Sequence, residues 1–555
     1  MTESTTLVLT NLYHWEATSP HTVYMTQPVG GGELKDYTWA QTADQVRRMA
    51  AHLRSLNLPP KSNIGLISKN CAHWIMADLA IWMAGHVSVP LYPTLMGEHV
   101  RQILEHSESK LLFVGKLDNW DMVRAGIPET LPQIALPISP PLSAPKWEQI
   151  VAETPPMTEN PEREPGELAS IMYTSGSTGT PKGVMMSFEA MALPGHEIRG
   201  LYGITPNDRM LSYLPLAHTF ERMVVETVSL IAGMHIYFAE SLDTFLEDLK
   251  RAHPTIFVSV PRLWVKFQLG VFEKMPQEKL SRLLSIPLLS RIVRRKVLQG
   301  LGLHDVRLAV SGAAPIPPEV IDWYRRLGLE LSEGYGMSEN FSYSHGTRPG
   351  ESRVGYVGTP QPGVQARISA HGEIEVKSPA DMLGYFKAPE LTRATFTDDG
   401  FVKTGDMGEI DAQGRLRITG RLKELFKTSK GKYVAPAPIE NKLLNHPFVE
   451  QACVCGEGQP KPYALIMLSE EAMRRAKENG GQAALQRALE QHLQAVNAAL
   501  DPHEQLAFIA VVRDQWLTEN GFLTPTMKIR RSVVEQTYTP FEEGWYKQGR
   551  PVIWQ

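Results

Sequence analysis

Apolar residues fall in short blocks along the chain, and two spacings alternate. Asn63–Ile67, Val87–Leu91, Leu111–Val114 and His235–Phe238 are brief β-rich apolar runs, and residues 255–260 and 306–310 repeat the pattern. Runs of this length, apolar at most positions and without helical spacing, predict strands buried on both faces. Residues 73–84, 242–251 and 319–327 carry helical spacing instead. The first of these stops at Gly85, a residue suited to a helix C-cap. Strand–helix–strand alternation predicts an α/β fold of layered, largely parallel sheets and helices. Pro-rich stretches at 135–146 and 154–165 read as surface connections or as the seam of a subdomain. Residues 418–432 are basic, contain Gly420 and Gly431, and lead into a compact α+β pattern that runs to the end of the chain. A boundary near Arg421 therefore divides a large N-terminal domain, 1–420, from a small C-terminal domain, 421–555. There is no internal repeat and no long low-complexity tract.

Composition narrows the class. A chain of 555 residues is too long for one core, and 43% hydrophobic with 21% charged residues fits a globular protein. A formal net charge of −4 gives no global field for nucleic acid, so any anion site must be built locally. Three cysteines, Cys71, Cys453 and Cys455, make neither a disulfide framework nor a zinc site, and read as packed core. The N-terminus lacks a basic start followed by an apolar stretch, and residues 73–84 are too short to span a bilayer. The expectation is a cytoplasmic protein, with peripheral contact to the inner face of the membrane left open. No oligomeric state follows from these features.

The richest segment is YTSGSTGTPKG, residues 173–183. It follows the apolar pair Ile171 and Met172, so it should leave a strand. Gly176, Gly179 and Gly183 allow close backbone approach. Thr174, Ser175, Ser177 and Thr178 offer hydroxyl donors, backbone N–H groups in such a turn form an anion-binding concavity, and Lys182 adds a full charge. The common P-loop needs Gly, four residues, then Gly-Lys-Ser/Thr, and here Lys182 lies between Pro181 and Gly183. The loop is therefore a phosphate cradle of another kind.

With Val184 the segment resembles the signature of the superfamily of AMP-forming acyl-CoA synthetases, peptide-synthetase adenylation domains and luciferases; Ser177 stands where that family usually has Thr. Further segments resemble the same family in the same order. SGAAP at 311–315 resembles the turn beside adenine, where Gly312, Ala313 and Ala314 let backbone approach a flat ring. EGYGMSE at 333–339 resembles GYGxTE. The resemblance implies that Gly334, Tyr335 and Gly336 lie against adenine, that Ser338 touches the α-phosphate and that Glu339 holds Mg²⁺, with Thr178 on the metal side of ATP. Thr404-Gly405-Asp406, followed by Arg421, resembles the ribose-binding pair. The run 420–436 resembles that of long-chain fatty acyl-CoA synthetases, with Lys423 as hinge, although Lys430 replaces a commoner Gly. LTPTMKIRR at 523–531 resembles the catalytic-lysine segment, which makes Lys528 catalytic; Met527 replaces a commoner Leu.

By this resemblance the chain joins a carboxylic acid to ATP as an acyl adenylate and passes the acyl group to coenzyme A. The first step brings two anions together. At roughly 4 Å they repel by about 4 kcal/mol at an effective dielectric of about 20, so cations at the reacting oxygens are required. Lys528 would bridge them, and Mg²⁺ on Glu339 would offset the pyrophosphate charge. Rotation of the C-terminal domain about Lys423 would then bring Lys430, Gly431 and Lys432 toward coenzyme A. YLPLAHTFER at 213–222 resembles the long-chain subgroup and favours a medium- or long-chain fatty acid. His218 is either close to the acyl site or a helix-start residue. Residues 223–231 and 257–264 are either the walls of an acyl tunnel or ordinary core. The other readings are a free-standing enzyme that loads a carrier protein and a non-catalytic nucleotide binder.

Overall fold

Strands buried on both faces need cover on both sides, and the helical stretches between them supply it. The computed structural model describes residues 6–175, 181–478, 480–524 and 527–555, without the side chains of Ser175 and Leu288. A seven-stranded sheet has the order Gly384–Tyr385, Pro181–Ser187, Leu168–Ser175, Val87–Leu91, Asn63–Ile67, Leu111–Val114, Gln133–Ala135. It is parallel from Leu168–Ser175 onward. Helix Ala72–Ala84 crosses between two of its strands, is buried almost throughout and ends at Gly85, φ 94°. A second sheet sets Ile256–Ser259, Leu308–Ser311 and Leu331–Tyr335 parallel, with His345–Gly346 and Thr359–Pro360 antiparallel beyond. A third holds Glu33–Thr38, Val23–Gly30, His235–Phe238 and Arg209–Ser212, and a fourth, antiparallel sheet runs from Gln365–Ile368 to Leu416–Arg421. The layered α/β architecture with a smaller α+β unit is the one the alternation predicts.

Two strands depart from their expected bounds. The strand expected over 255–260 ends at Ser259, because Pro261 opens the helix Pro261–Lys274. The strand expected over 306–310 begins at Leu308, since Val306 N–H closes a turn on the Leu303 carbonyl at 3.2 Å. The stretch 154–165 is a seam rather than a simple surface connection. Arg163, 9% exposed, donates to the Trp82 carbonyl at 2.8 Å and to Glu167 at 2.9 Å.

Hydrophobic clusters divide along the chain. Four draw on residues no later than Ile418, and two on residues from Phe426 onward, around the sheet Val449–Cys455, Tyr463–Leu468, Ile509–Val511, Val552–Trp554. The three cysteines are buried and unpaired.

One buried polar assembly holds the segment that follows His218. After the short helix Thr219–Glu221 the chain widens into a π-helical turn, Arg222–Thr227. Arg222, 0% exposed, donates to Asp78, to Glu226 at 2.9 Å and to Ser170 Oγ at 2.6 Å, between the rings of Trp74 and Trp82. Burial and then the neighbouring Asp78 charge push Glu226 well above the usual carboxylate range, against the opposing Arg222 charge, and so disfavour its anion. The π turn is tied by these contacts to both the seven-stranded sheet and the helix Ala72–Ala84.

Candidate active site

The sheets and the C-terminal unit converge on one cavity of about 1560 Å³. The phosphate-loop segment enters it as a hairpin: Thr174 pairs with Lys182 and Tyr173 with Gly183, and Thr174 and Lys182 both line the cavity. Gly183 is required there, because a Cβ would stand 2.7 Å from Ile171 and 3.2 Å from the Tyr173 ring. Gly176, Ser177, Thr178 and Gly179 lie outside the described residues.

Two turns leave the ends of the parallel strands toward the same space. Ala313 and Ala314 line the cavity, and Ala313 holds φ 66°. Gly312 does not line it but backs the turn: its Cβ would meet the Phe220 ring at 2.8 Å. Gly334, Tyr335, Gly336, Ser338 and Glu339 all line it. At Gly336 a Cβ would lie 2.4 Å from the Ser342 backbone, so no larger residue fits.

Asp406 joins this wall to the fourth sheet. Its two oxygens accept Arg421 Nε at 2.8 Å and the Tyr335 hydroxyl at 2.7 Å, and Asp406 and Arg421 are cross-strand partners. Lys528 enters from the C-terminal unit on the turn closed by Leu523 and Ile529. Its side chain is solvent-accessible, but the surface it exposes belongs to the cavity and protein surrounds it. Crowding first, and then Arg421, lower its pKa, against the opposing charges of Asp406, Glu424 and Glu339. The ammonium is thus placed among the groups that ring the cavity.

His218 unites the two readings left open for it. Its Nδ1 accepts the Phe220 N–H at 3.1 Å, which starts the helix, and it also lines the cavity. Burial, and then the Lys528 charge, lower its pKa to about 4. Neutral imidazole with Nδ1 as acceptor carries its proton on Nε2, leaving one donor. Lys423 is exposed at the cavity rim, in the turn Leu422–Glu424. Lys430, Gly431 and Lys432 do not reach the cavity in this arrangement. They form the exposed turn between Phe426–Lys427 and Tyr433–Val434, closed by Gly431 N–H on the Thr428 carbonyl at 2.9 Å.

Sequence reasoning missed two groups. Tyr385 donates its hydroxyl to Glu339 Oε1 at 2.6 Å, and Lys182 Nζ lies 5.8 Å from its ring centre. The turn signal Gly384 and the Pro389 helix start marked the place, but nothing local marked the contact. Glu333 lines the cavity beside Tyr335, and burial pushes its carboxyl up to about 8.

Part of the cavity wall is an apolar branch, lined by Ile256, Val258 and Val260 and by Met223, Val224 and Val228. Phe257 and Trp264 point away into a core cluster with Tyr324. The run 223–231 divides likewise: Val225 and Leu230 are core. Tunnel and core are alternate sides of the same segments, as strand and helix geometry require.

Comparison with known proteins agrees with this geometry. The sequence profile of a family described as AMP-binding enzyme matches residues 12–386, and that of the AMP-binding enzyme C-terminal domain matches 424–549. The chain is 30% identical to the long-chain-fatty-acid–CoA ligase FadD15 of Mycobacterium bovis, over 93% of each chain. It is 27% identical to the peroxisomal long chain acyl-CoA synthetase 6 of Arabidopsis thaliana, over 93% of this chain and 82% of that one. In fold it resembles the anthranilate CoA ligase AuaEII, solved with anthranoyl-AMP, at TM-score 0.78 and 20% identity over 97% of this chain and 98% of that one. It also resembles the adenylation domain of a carboxylate reductase from Mycobacterium chelonae, at TM-score 0.81 and 20% identity over 98% and 92%.

Proposed function

Because this chain belongs to the AMP-binding enzyme family, we propose that the carboxylic acid it activates as an acyl adenylate is a medium- or long-chain fatty acid, and that the acyl acceptor is coenzyme A. The observation that carries the acyl class is the apolar branch. From Val260 to Ile256 it follows a strand for four residues, roughly 13 Å at about 3.3 Å per residue, and no ionisable side chain stands on that stretch of strand. Such a slot suits an extended alkyl chain and is longer than one aromatic ring.

The reaction follows from the residues around the cavity. A carboxylate oxygen attacks the α-phosphorus of ATP, an O–P bond forms, and the bond to pyrophosphate breaks. Lys528 lies among the charges of this region and offsets the repulsion between the two anions. The phosphate-loop hairpin supplies Lys182 and Thr174 to the polyphosphate. Tyr335 and the small residues of its turn offer a flat surface to adenine, while Asp406 and Arg421 suit the ribose hydroxyls. A magnesium ion takes one or two carboxylates together with substrate phosphates, and Glu339, a cavity-facing carboxylate held by Tyr385, fits that need. When bound there, the ion would supply charge neutralisation for the leaving pyrophosphate. In the second step the coenzyme A sulfur attacks the acyl carbonyl carbon. The C–O bond to AMP breaks, and the thiol proton is released.

The test is pyrophosphate exchange into ATP across saturated acids from butyrate to stearate plus benzoate, followed by mass analysis after addition of coenzyme A. Exchange that peaks among the longer alkyl acids, with formation of their CoA thioesters, supports the proposal. Exchange confined to benzoate or the shortest acids refutes the acyl class. Acyl transfer to an isolated carrier protein but not to coenzyme A refutes the acceptor.

A further inference from the structure

The crossover from Ile256–Ser259 to its parallel neighbour Leu308–Ser311 is far longer than a crossover needs. It contains three helices, Pro261–Lys274, Gln277–Ser285 and Pro287–Gly300. Leu280, Leu284, Val293 and Val297 turn inward to a core cluster around Trp264 and Trp323. The outer side is apolar as well. Ile286, Leu289 and Ile292 are 45%, 42% and 55% exposed. They follow one another at a spacing of three, so they form a single ridge from the helix junction along Pro287–Gly300.

The same helix continues in cations. Arg291, Arg294, Arg295 and Lys296 lie in Pro287–Gly300, which contains no acidic residue. Arg291, Arg295 and Lys296 are exposed, and none of the three makes an ion pair among the described residues. Exposed Arg282 adds another cation on the preceding helix. This concentration stands out in a chain whose net charge is −4.

We propose that this ridge is a docking surface for an anionic lipid bilayer, with Ile286, Leu289 and Ile292 entering the headgroup–acyl boundary and Arg291, Arg295 and Lys296 contacting lipid phosphates. Aliphatic side chains beside unpaired cations on one amphipathic helix are the composition that interfacial helices use. A second copy of the chain is disfavoured as occupant, because a two-fold contact would set this cationic helix against its own image. Attachment is peripheral, since the ridge reaches only the boundary region. The first helix of the crossover, Pro261–Lys274, contributes Val265 and Leu269 to the cavity wall, so the docked surface and the cavity share one crossover. The inference concerns binding alone and does not depend on the identity of the acid.

Vesicle flotation of the full-length protein tests it, with phosphatidylcholine vesicles compared against vesicles containing phosphatidylglycerol. Wild type should float with the anionic vesicles, and less as salt is raised. The triple variant Arg291→Glu, Arg295→Glu, Lys296→Glu should lose at least about tenfold in partitioning. Leu289→Ser with Ile292→Ser should weaken binding to the anionic vesicles as well. All five positions are exposed, and circular dichroism with pyrophosphate exchange on a water-soluble acid checks that each variant stays folded. Failure of wild type to float with anionic vesicles overturns the proposal, as does flotation that neither variant alters. Self-association that the same substitutions abolish also overturns it, by assigning the ridge to a second copy.

Discussion

Removing one oxygen atom, in Tyr385→Phe, asks whether Glu339 acts as a positioned carboxylate or merely as a charge in the cavity. The Tyr385 hydroxyl donates to Glu339 Oε1 at 2.6 Å, and Met382 N–H donates to the Glu339 carbonyl at 2.8 Å. Phe386 N–H donates to the Gly183 carbonyl at 2.8 Å, so the strand that carries Tyr385 is fixed to the phosphate-loop hairpin. Burial, and then the Glu339 charge, raise the Tyr385 pKa far above the usual phenol range, which keeps the group a donor. Phenylalanine preserves the ring, its packing and the face turned to Lys182. What it loses is a hydrogen bond to a charged group, about 1.5–3 kcal/mol. At about 1.4 kcal/mol per factor of ten this is roughly ten- to a hundredfold, the range found for groups that orient metal ligands. Mn²⁺ binding in the presence of ATP, followed by electron paramagnetic resonance, and the Mg²⁺ dependence of pyrophosphate exchange are the assays. Metal half-saturation should rise about ten- to a hundredfold, while the KM for the acid holds, because the lost hydroxyl bonds Glu339 and no residue of the apolar branch. Unchanged metal affinity, or a shift confined to the acid, would refute the reasoning.

Lys528→Ala should slow pyrophosphate exchange by about a hundred- to a thousandfold, from about 4 kcal/mol of unrelieved repulsion. ATP binding measured by equilibrium dialysis should change little, and an equal loss in binding would count against the assigned role. Glu333, pushed up to about 8 by burial, is neutral below that pH and becomes an uncompensated anion in the cavity wall above it. The KM for ATP should therefore rise above pH 8, and Glu333→Gln should flatten that limb; an unaltered profile would contradict it. In the Arg222 assembly, Asp78→Asn removes one of the two carboxyls that face a buried cation and should cost up to about 3–5 kcal/mol. Glu226→Gln should cost less than Asp78→Asn, because burial and the Asp78 charge already disfavour its anion. Trp74 and Trp82, each 5.4 Å from Arg222, report urea unfolding by fluorescence. Because the folded pKa of Glu226 is raised, its contribution is full below the unfolded pKa and is lost as pH rises toward the folded one. Glu226→Gln should remove that dependence.

Much of the fold was legible because the strands of its parallel sheets are short and largely apolar. Helix Ala72–Ala84 fell within one residue of its expected start, since its stop is a left-handed glycine. Sequence motifs could propose Tyr335, Asp406, Arg421 and Lys528 one at a time. Their meeting depends on a cross-strand register, Asp406 opposite Arg421, and on a turn from another domain. Tyr385 was silent because its partner is a residue 46 positions away, and a tyrosine in a two-residue strand carries no local sign of that contact. His218 was ambiguous for a physical reason: one imidazole nitrogen caps a helix while the ring lines the cavity, so both descriptions hold.

The C-terminal unit delivers Lys528 but is lightly tethered by polar groups. Among the described residues, the polar side-chain contacts that cross from the N-terminal sheets and helices to residues beyond Glu424 include Arg262 with Glu450, and Asn445 Nδ2 with Glu319 at 3.3 Å. The Arg262–Glu450 pair is 45% and 28% exposed, and exposed pairs contribute about 0–1 kcal/mol. The protein around Lys528 in the cavity lowers its pKa at the same time, so part of its charge is held at a cost that ATP and the acid would relieve as anions. Substrate charge thus favours the arrangement seen here. Once pyrophosphate leaves, that attraction would weaken, and little polar contact would oppose a turn about Lys423. Under the function proposed above, such a turn would have to bring the exposed basic hairpin at Lys430–Lys432 to the coenzyme A phosphates.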